Sequence, residues 1–322
     1  LYVNAILFGL VFLSPPFLKA WLLRTFAGAR IHSRAHIGWF SAVSGQRIEM
    51  GAHSVIRPLT LLRVDGEVSL GAYAEISSFT LGYGAGGLHV GEGSYIGPQS
   101  MLNCEEDIRI GRGSALGARS MVYTHGSFLP YTEGYWVKLA GVTVGDKVWC
   151  AAGVFLQPGA EIGDNSFVNS MSVVSGSIPP GSVVEGNPAR VVAPMERLQR
   201  KMTPKRLDLA VEHILRDFVE IGLRRELRAT GIEAAARRVS FAWRGQRYVI
   251  VIVPSEGEWS LDNLDGARLI GIVNRPGWQP PVGALTLDLD SLRTPFNADP
   301  LHTALRLFFL RYYGVRFRDE AE

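Results

Sequence analysis

The sequence predicts an all-β core, a parallel β-helix of stacked coils (residues 31–195), between an apolar N-terminal segment (1–30) and a small C-terminal α+β domain (196–322). Three observations predict it. Apolar residues recur six positions apart, as in Val144, Cys150, Leu156, Ile162, Val168 and Val174. Several such residues are followed directly by Gly, and the chain's 36 glycines show no collagen periodicity. After about residue 195 the hexads stop, and ordinary helix and strand patterns replace them. A period of six matches neither the 3.6 of a helix nor the 2 of a strand. It matches short flat strands with one inward apolar residue on each of three faces. Such a coil takes about eighteen residues and buries its interior against its neighbours.

The opening stretch, residues 1–13, is apolar. Ser14-Pro15-Pro16 separates it from a second apolar stretch, 17–23, that holds Lys19. The uninterrupted run is too short to span a bilayer comfortably, and the prolines break or kink a helix there. No small-residue cleavage site of the signal-peptide kind follows. Arg24, Arg30 and Arg34 come next. Two readings stand side by side: a hairpin or amphipathic helix lying on a membrane face, or a helix packed on its own domain or a sister subunit.

Three runs carry the hexads: Val90, Ile96 and Leu102; Ile110, Leu116 and Val122; and the run from Val144 to Val174. Looser coils surround Met50, Ile56, Leu62, Leu70 and Ile76. The Gly after an inward residue is expected at a tight corner, where it accepts positive φ. Between Gly126 and Gly141 there is no hexad. An external loop interrupts a coil there, and long loops in compact repeats usually carry function.

In the last third, Thr203-Pro204 is a helix-start signal. Leu207, Val211, Ile214, Leu215, Phe218 and Ile221 follow at helical spacing. Residues 238–243 and 247–253 flank Arg244-Gly245-Gln246 as a β-hairpin. Residues 269–273 and 284–289 read as two more strands. Leu301, Leu305, Phe308, Phe309 and Tyr312 share one face of a final helix.

Composition narrows the function. Lys and Arg number 33 against 30 Asp and Glu, a net +3, which argues against a dedicated nucleic-acid binder. Apolar residues at 47 % exclude wholesale disorder. Two cysteines, Cys104 and Cys150, exclude a disulfide framework and a four-cysteine zinc site, and suit a reducing compartment. Arg224, Arg225, Arg228, Arg237 and Arg238 form a basic cluster, read as a solvated face or as a surface for anionic headgroups or an acidic glycan. Of the seven histidines, His32, His36, His53 and His89 are expected at surface corners of the coils, and His213 and His302 on the C-terminal helices. His125 alone stands where the hexads break.

Around that break the motifs run in a fixed order. Thr124-His125 and the excursion come first, then Val142-Thr-Val-Gly-Asp-Lys-Val-Trp149, Leu156-Gln-Pro-Gly159 and Ile162-Gly-Asp-Asn165. Ile178-Pro-Pro-Gly181 and Gly186-Asn-Pro-Ala-Arg190 close the series, and Gly28-Ala29-Arg30-Ile31 opens the domain. This series resembles the left-handed β-helix, hexapeptide-repeat acyltransferases. The best match is their sugar and polysaccharide O-acetyltransferase branch, which includes galactoside, maltose and colanic-acid acetyltransferases. The resemblance covers about half the chain and leaves the region after about residue 200 unassigned.

The resemblance implies a left-handed coil and transfer of acetyl from acetyl-CoA to a sugar hydroxyl in surface polysaccharide or glycolipid synthesis. It implies direct transfer without an acyl-enzyme, no metal, and a homotrimer whose CoA groove lies between neighbouring β-helices. The expected location is the cytoplasm, with the periphery of the inner membrane as an alternative. His125 would be the general base, because a hydroxyl must lose its tightly held proton as it attacks the thioester. Asn103, one coil earlier, would donate to the oxyanion or touch acceptor or base; an Asn merely stacked at a corner is the plainer alternative. CoA would pass Ala152, Ser170 and Ser175 at successive corners, with Trp149 beside the thioester channel and Arg190 meeting the phosphates. The sequence departs from the family at Val168-Asn169-Ser170-Met171, where Ile-Gly-Ala-Gly is usual. Met171 would narrow the groove or favour a different acyl chain. Cys150 holds an inward position and reads as core rather than nucleophile.

Three other readings compete. An amino-sugar N-acyltransferase would use the same His on an amine. A γ-type carbonic anhydrase needs three histidines around zinc, and His89 and His125 are too isolated for that. A non-catalytic scaffold would make the C-terminal domain the binding module; His125, Trp149 and Arg190 argue against it.

Overall fold

The computed structural model describes residues 2–126, 129–257, 264 and 266–320. The chain divides into two compact units, 1–200 and 201–322.

The first unit opens with helices α1 (Tyr2–Leu13) and α2 (Pro16–Phe26), broken at the two prolines as expected. Pro16 takes the first turn of α2, where a missing N–H costs nothing. One side of this pair packs on the coils, since Val11 and Leu23 belong to the coils' own core. Lys19 is wholly buried between them. Its Nζ donates to Val11 O (2.6 Å) and Phe12 O (3.3 Å) at the end of α1, and to Ser41 O (2.7 Å) in the first coil. Burial lowers its pKa to about 8. Of the two readings for this segment, packing on its own domain therefore holds for the inner side.

The coils form three faces of short strands. The first face has eight strands, from Arg30–Ile31 to Ser177–Ile178. The second has nine, from His36–Ile37 to Ala189–Pro194. The third has seven, from Ala42–Ser44 to Val173–Val174. The hexad residues point inward and are buried throughout, from Met50 and Ile56 to Val168 and Val174. Coil pairs with coil in parallel, as with Met50 beside Leu70 and Val144 beside Ile162. The last strand differs: Ala189–Pro194 returns antiparallel along Ser182–Gly186.

Three expectations about the coils need correction. First, eighteen residues per coil holds only late, where Val144 faces Ile162. Earlier, Met50 faces Leu70, Leu70 faces Val90 and Val90 faces Ile110, a twenty-residue repeat. The first face there turns two apolar residues inward instead of one, as with Val68 and Leu70 or Ile108 and Ile110. Second, the Gly after an inward residue is not there for positive φ. It lies where one coil runs hard against the next: a Cβ on Gly111 would stand 2.4 Å from the carbonyl carbon of Gly145, and one on Gly117 2.6 Å from that of Ala151. The positive φ falls two residues further on, at Gly93 and Gly113 but also at Tyr73, Lys147 and Asn165. Third, His36 and His89 lie within strands rather than at corners. His89 Nδ1 sits 2.9 Å from Ser69 Oγ, and partial burial lowers its pKa.

The small residue of each hexad also has a reason. Ser and Thr sit inside the corners with their hydroxyls spent on carbonyls, as with Ser41 on Arg57 O (2.7 Å) and Ser114 on Gly145 O (2.7 Å). A buried hydroxyl needs such a partner.

The second unit is an α+β domain. Its sheet runs 230–235, 238–243, 246–253, 268–273, 285–288, the first two pairings antiparallel and the last two parallel. The hairpin turn is Arg244-Gly245 alone, both at positive φ, as a two-residue loop requires. Thr203 caps α3 (Pro204–Asp217) by accepting from Arg206 N–H. A π-helical stretch, Phe218–Glu226, continues it. With α4 (Pro300–Tyr313), these pack Val211, Phe218, Leu305 and Phe309 against Ile250, Ile252 and Ile270. The exposed edge strand Thr230–Ala235 was not expected, since it lacks the apolar alternation that marks its neighbours. Tyr312 is exposed, off the buried face of α4, with its hydroxyl 3.3 Å from Glu226 Oε1. The basic cluster is partly neutralised, with Arg237 paired to Glu212 (2.5 Å) and Arg224 to Glu220 (3.6 Å).

Candidate functional site

The break in the hexads is a stitched gate. The third-face strand Met121–Tyr123 ends at Thr124, which is buried. Its hydroxyl donates to Asn103 O (2.8 Å) and accepts from Glu106 N–H (2.9 Å). Its carbonyl accepts from Ala140 N–H (2.9 Å), so departure and return of the chain are tied together. His125-Gly126 then pairs antiparallel with Lys138-Leu139. Beyond this root the loop projects outward, with Tyr131, Tyr135 and Trp136 exposed. His125 is half-buried at the root. Lys138 leans along the next coil: a Cβ on Gly159 would stand 3.0 Å from its Nζ.

Asn103 ends the strand one coil below and is only 6 % exposed. Its Oδ1 lies 3.4 Å from Thr124 Oγ1. It is held within a strand rather than stacked at a corner. Tyr83 lies in register below it and Tyr123 above. The Tyr123 hydroxyl meets Met101 Sδ at 2.9 Å, and burial beside Tyr83 raises its pKa. Sequence reasoning missed these tyrosines and Lys138. The tyrosines have a signal, a twenty-residue spacing with Asn103 between them, but the eighteen-residue coil hides it.

The residues expected along CoA occupy another part of the prism. Trp149 is exposed on the second face, its ring 5.0 Å from that of Phe167. Ala152 and Ser170 are exposed on the edge between second and third faces, one coil apart; Met171 N–H donates to Ala152 O (3.0 Å). Met171 stands at that edge too, exposed and at positive φ, with its sulfur over Gly153. Arg190 is exposed on the antiparallel last strand, in register with Glu185, its Nη1 3.0 Å from Ala189 O. Ser175 breaks the expected line. It lies between the strands Val173–Val174 and Ser177–Ile178, on the edge from third to first face. That edge carries Thr124 and His125, because the late coils give each corner few residues and a five-residue step from Ser170 passes a whole face.

One chain therefore gathers His125, Asn103 and Ser175 along one edge. Trp149, Ala152, Ser170 and Arg190 belong to the second face and its other edge, and the third face separates the two sets. The cysteines stay out of the chemistry: both are buried, and burial pushes each thiol up to about 12. Among the described residues, no group of three or more His, Cys, Asp or Glu is placed to hold a metal ion.

No family model matches the chain. It is 28 % identical over 144 residues to the putative colanic acid biosynthesis acetyltransferase WcaF of Escherichia coli (strain K12), covering 45 % of this chain and 68 % of that protein. It is 43 % identical over 51 residues to the galactoside O-acetyltransferase of Escherichia coli (strain K12), covering 16 % of this chain and 25 % of that one. The crystal structure of the polySia specific acetyltransferase NeuO overlays 52 % of this chain and 80 % of that chain, with 13 % identity and a TM-score of 0.40. With the coils, the excursion and the two sequence relatives on one chain, the protein is similar to the sugar and polysaccharide acetyltransferases built from hexapeptide repeats.

Proposed function

We propose that this protein transfers acetyl from acetyl-CoA to a hydroxyl of a carbohydrate acceptor in surface polysaccharide or glycolipid synthesis, with His125 as general base. The observation that carries the reading is the stitched gate, which fixes His125 at the root of the excursion beside buried Asn103. In the reaction the imidazole takes the hydroxyl proton as the oxygen attacks the thioester carbonyl. The C–S bond breaks, and the imidazolium returns the proton to the departing thiolate. Asn103 or a corner N–H would donate to the oxyanion. Trp149, Ala152 and Ser170 would line the path of CoA, Arg190 would meet its phosphates, and Ser175 would face the acceptor side with His125.

The separation of the two residue sets supports a homotrimer, because a second copy must bring its edge to the first. The third face supports it too. Leu61, Leu81, Met101, Met121, Phe155 and Val173 stand in register on its outer side, an apolar ladder that water would cover poorly.

Calorimetric titration with acetyl-CoA tests the donor. Release of free thiol with a panel of hexosides and amino-hexosides tests the acceptor. His125→Ala should keep acetyl-CoA binding and lose turnover by about 100-fold or more. Arg190→Ala should weaken binding. Preference for the amino-hexosides would make the enzyme an N-acyltransferase, and unchanged turnover in His125→Ala would remove the base.

A further inference from the structure

We propose that the outer side of the α1–α2 hairpin seats the protein in the plane of an anionic lipid bilayer. The inner side is occupied by Val11, Leu23 and Lys19 against the coils. The outer side is apolar and open. Leu10 and Leu13 of α1 and Phe17 and Trp21 of α2 all face solvent, with Leu13 69 % and Phe17 79 % exposed. The patch continues onto the first coil through Phe40, whose ring lies 5.8 Å from that of Phe12.

Charge selects the occupant. The first 48 residues contain no Asp or Glu, while Lys19, Arg24, Arg30, Arg34 and Arg47 supply five cations. Lys19 is turned inward onto three carbonyls, so the outer side carries no ammonium of its own to desolvate. Arg24 is held at the base of the hairpin on Ile31 O (2.6 Å), and Arg30 (3.4 Å) and Arg47 (2.6 Å) share the single carboxylate of Glu49, which leaves the segment net positive. An apolar, Trp- and Phe-bearing surface on a segment whose charged residues are all basic fits the interface of an anionic membrane. A second copy would bring the same positive charge against it. The geometry points to lying rather than crossing. At 12 and 11 residues the helices reach about 18 and 16 Å, against a hydrocarbon core of about 30 Å. No described helix is long and apolar enough to cross a membrane.

The test is co-sedimentation of the full chain with vesicles of phosphatidylcholine and phosphatidylglycerol (3:1) and of phosphatidylcholine alone, at low and high salt. Binding should favour the anionic vesicles at least tenfold and weaken with salt. Phe17→Glu/Trp21→Glu, and separately Leu13→Glu, should each reduce it at least tenfold while the melting temperature and acetyl-CoA binding stay unchanged. No sedimentation with either vesicle, or equal sedimentation of the variants, would overturn the proposal. So would a fall in solution mass in the variants without loss of vesicle binding, which would give the patch to a sister subunit. Acetyl-CoA binding and thiol release are read separately, so failure of the transferase reading leaves the vesicle result standing.

Discussion

His302, on α4, is buried and neutral by construction. The Thr294 hydroxyl donates to Thr286 O (2.6 Å) and so accepts from His302 Nε2–H (2.8 Å); Nδ1 accepts from the Asn297 amide (3.1 Å). A second ring proton would point at that amide's own hydrogens. Burial pushes the pKa down from 6.5 to about 4. Between those values the unfolded chain binds a proton that the folded chain refuses. Stability should be intact above pH 6.5 and fall by up to about 3 kcal/mol as pH drops to about 4. Urea unfolding of the second unit at pH 7 and pH 4.5 reads this, and His302→Gln should flatten the difference. The α4 spacing alone places His302 on a helix. Its burial depends on Thr294 and Asn297 from the preceding loop, partners that no helical period reveals.

At the scale of the element, the corner is where sequence and structure part. The inward hexads were legible because burial demands the same residue class at each turn. The glycines were legible in place but not in cause, since contact with the next coil is a through-space constraint. Two substitutions separate the causes. Gly117→Ala puts a Cβ against the Ala151 backbone and should cost about 2–3 kcal/mol. Gly93→Ala meets nothing within 4 Å, but its φ of 69° should still cost about 1 kcal/mol. Chemical denaturation of both should preserve that order. Met171 carries the same left-handed strain at the edge of Ala152 and Ser170. Met171→Gly relieves it while loosening the unfolded chain, so stability should move by less than about 1 kcal/mol. Turnover with butyryl-CoA relative to acetyl-CoA should rise several-fold.

For the whole molecule, the proposed site draws on more than one chain. The order of Thr124-His125, Trp149 and Arg190 is visible in sequence, but which edge each occupies is set by residues per coil, and a two-residue difference moves a side chain to another part of the prism. Ser175 shows this. If copies meet across the third face, Leu81→Glu/Met121→Glu should convert the trimer to monomers and abolish turnover, although every chain keeps His125. Light scattering and thiol release on the same sample decide it.

The two ends of the prism carry a consequence for length control. A parallel ladder is open-ended, because each coil offers the next the same row of donors and acceptors. Here Lys19 ties the helices over the first coil, and at the other end the strand 189–194 reverses direction on the second face, where it replaces the parallel edge that another coil would extend. Length is thus limited by these two features: without either of them, head-to-tail stacking of coils becomes an easier continuation of the fold.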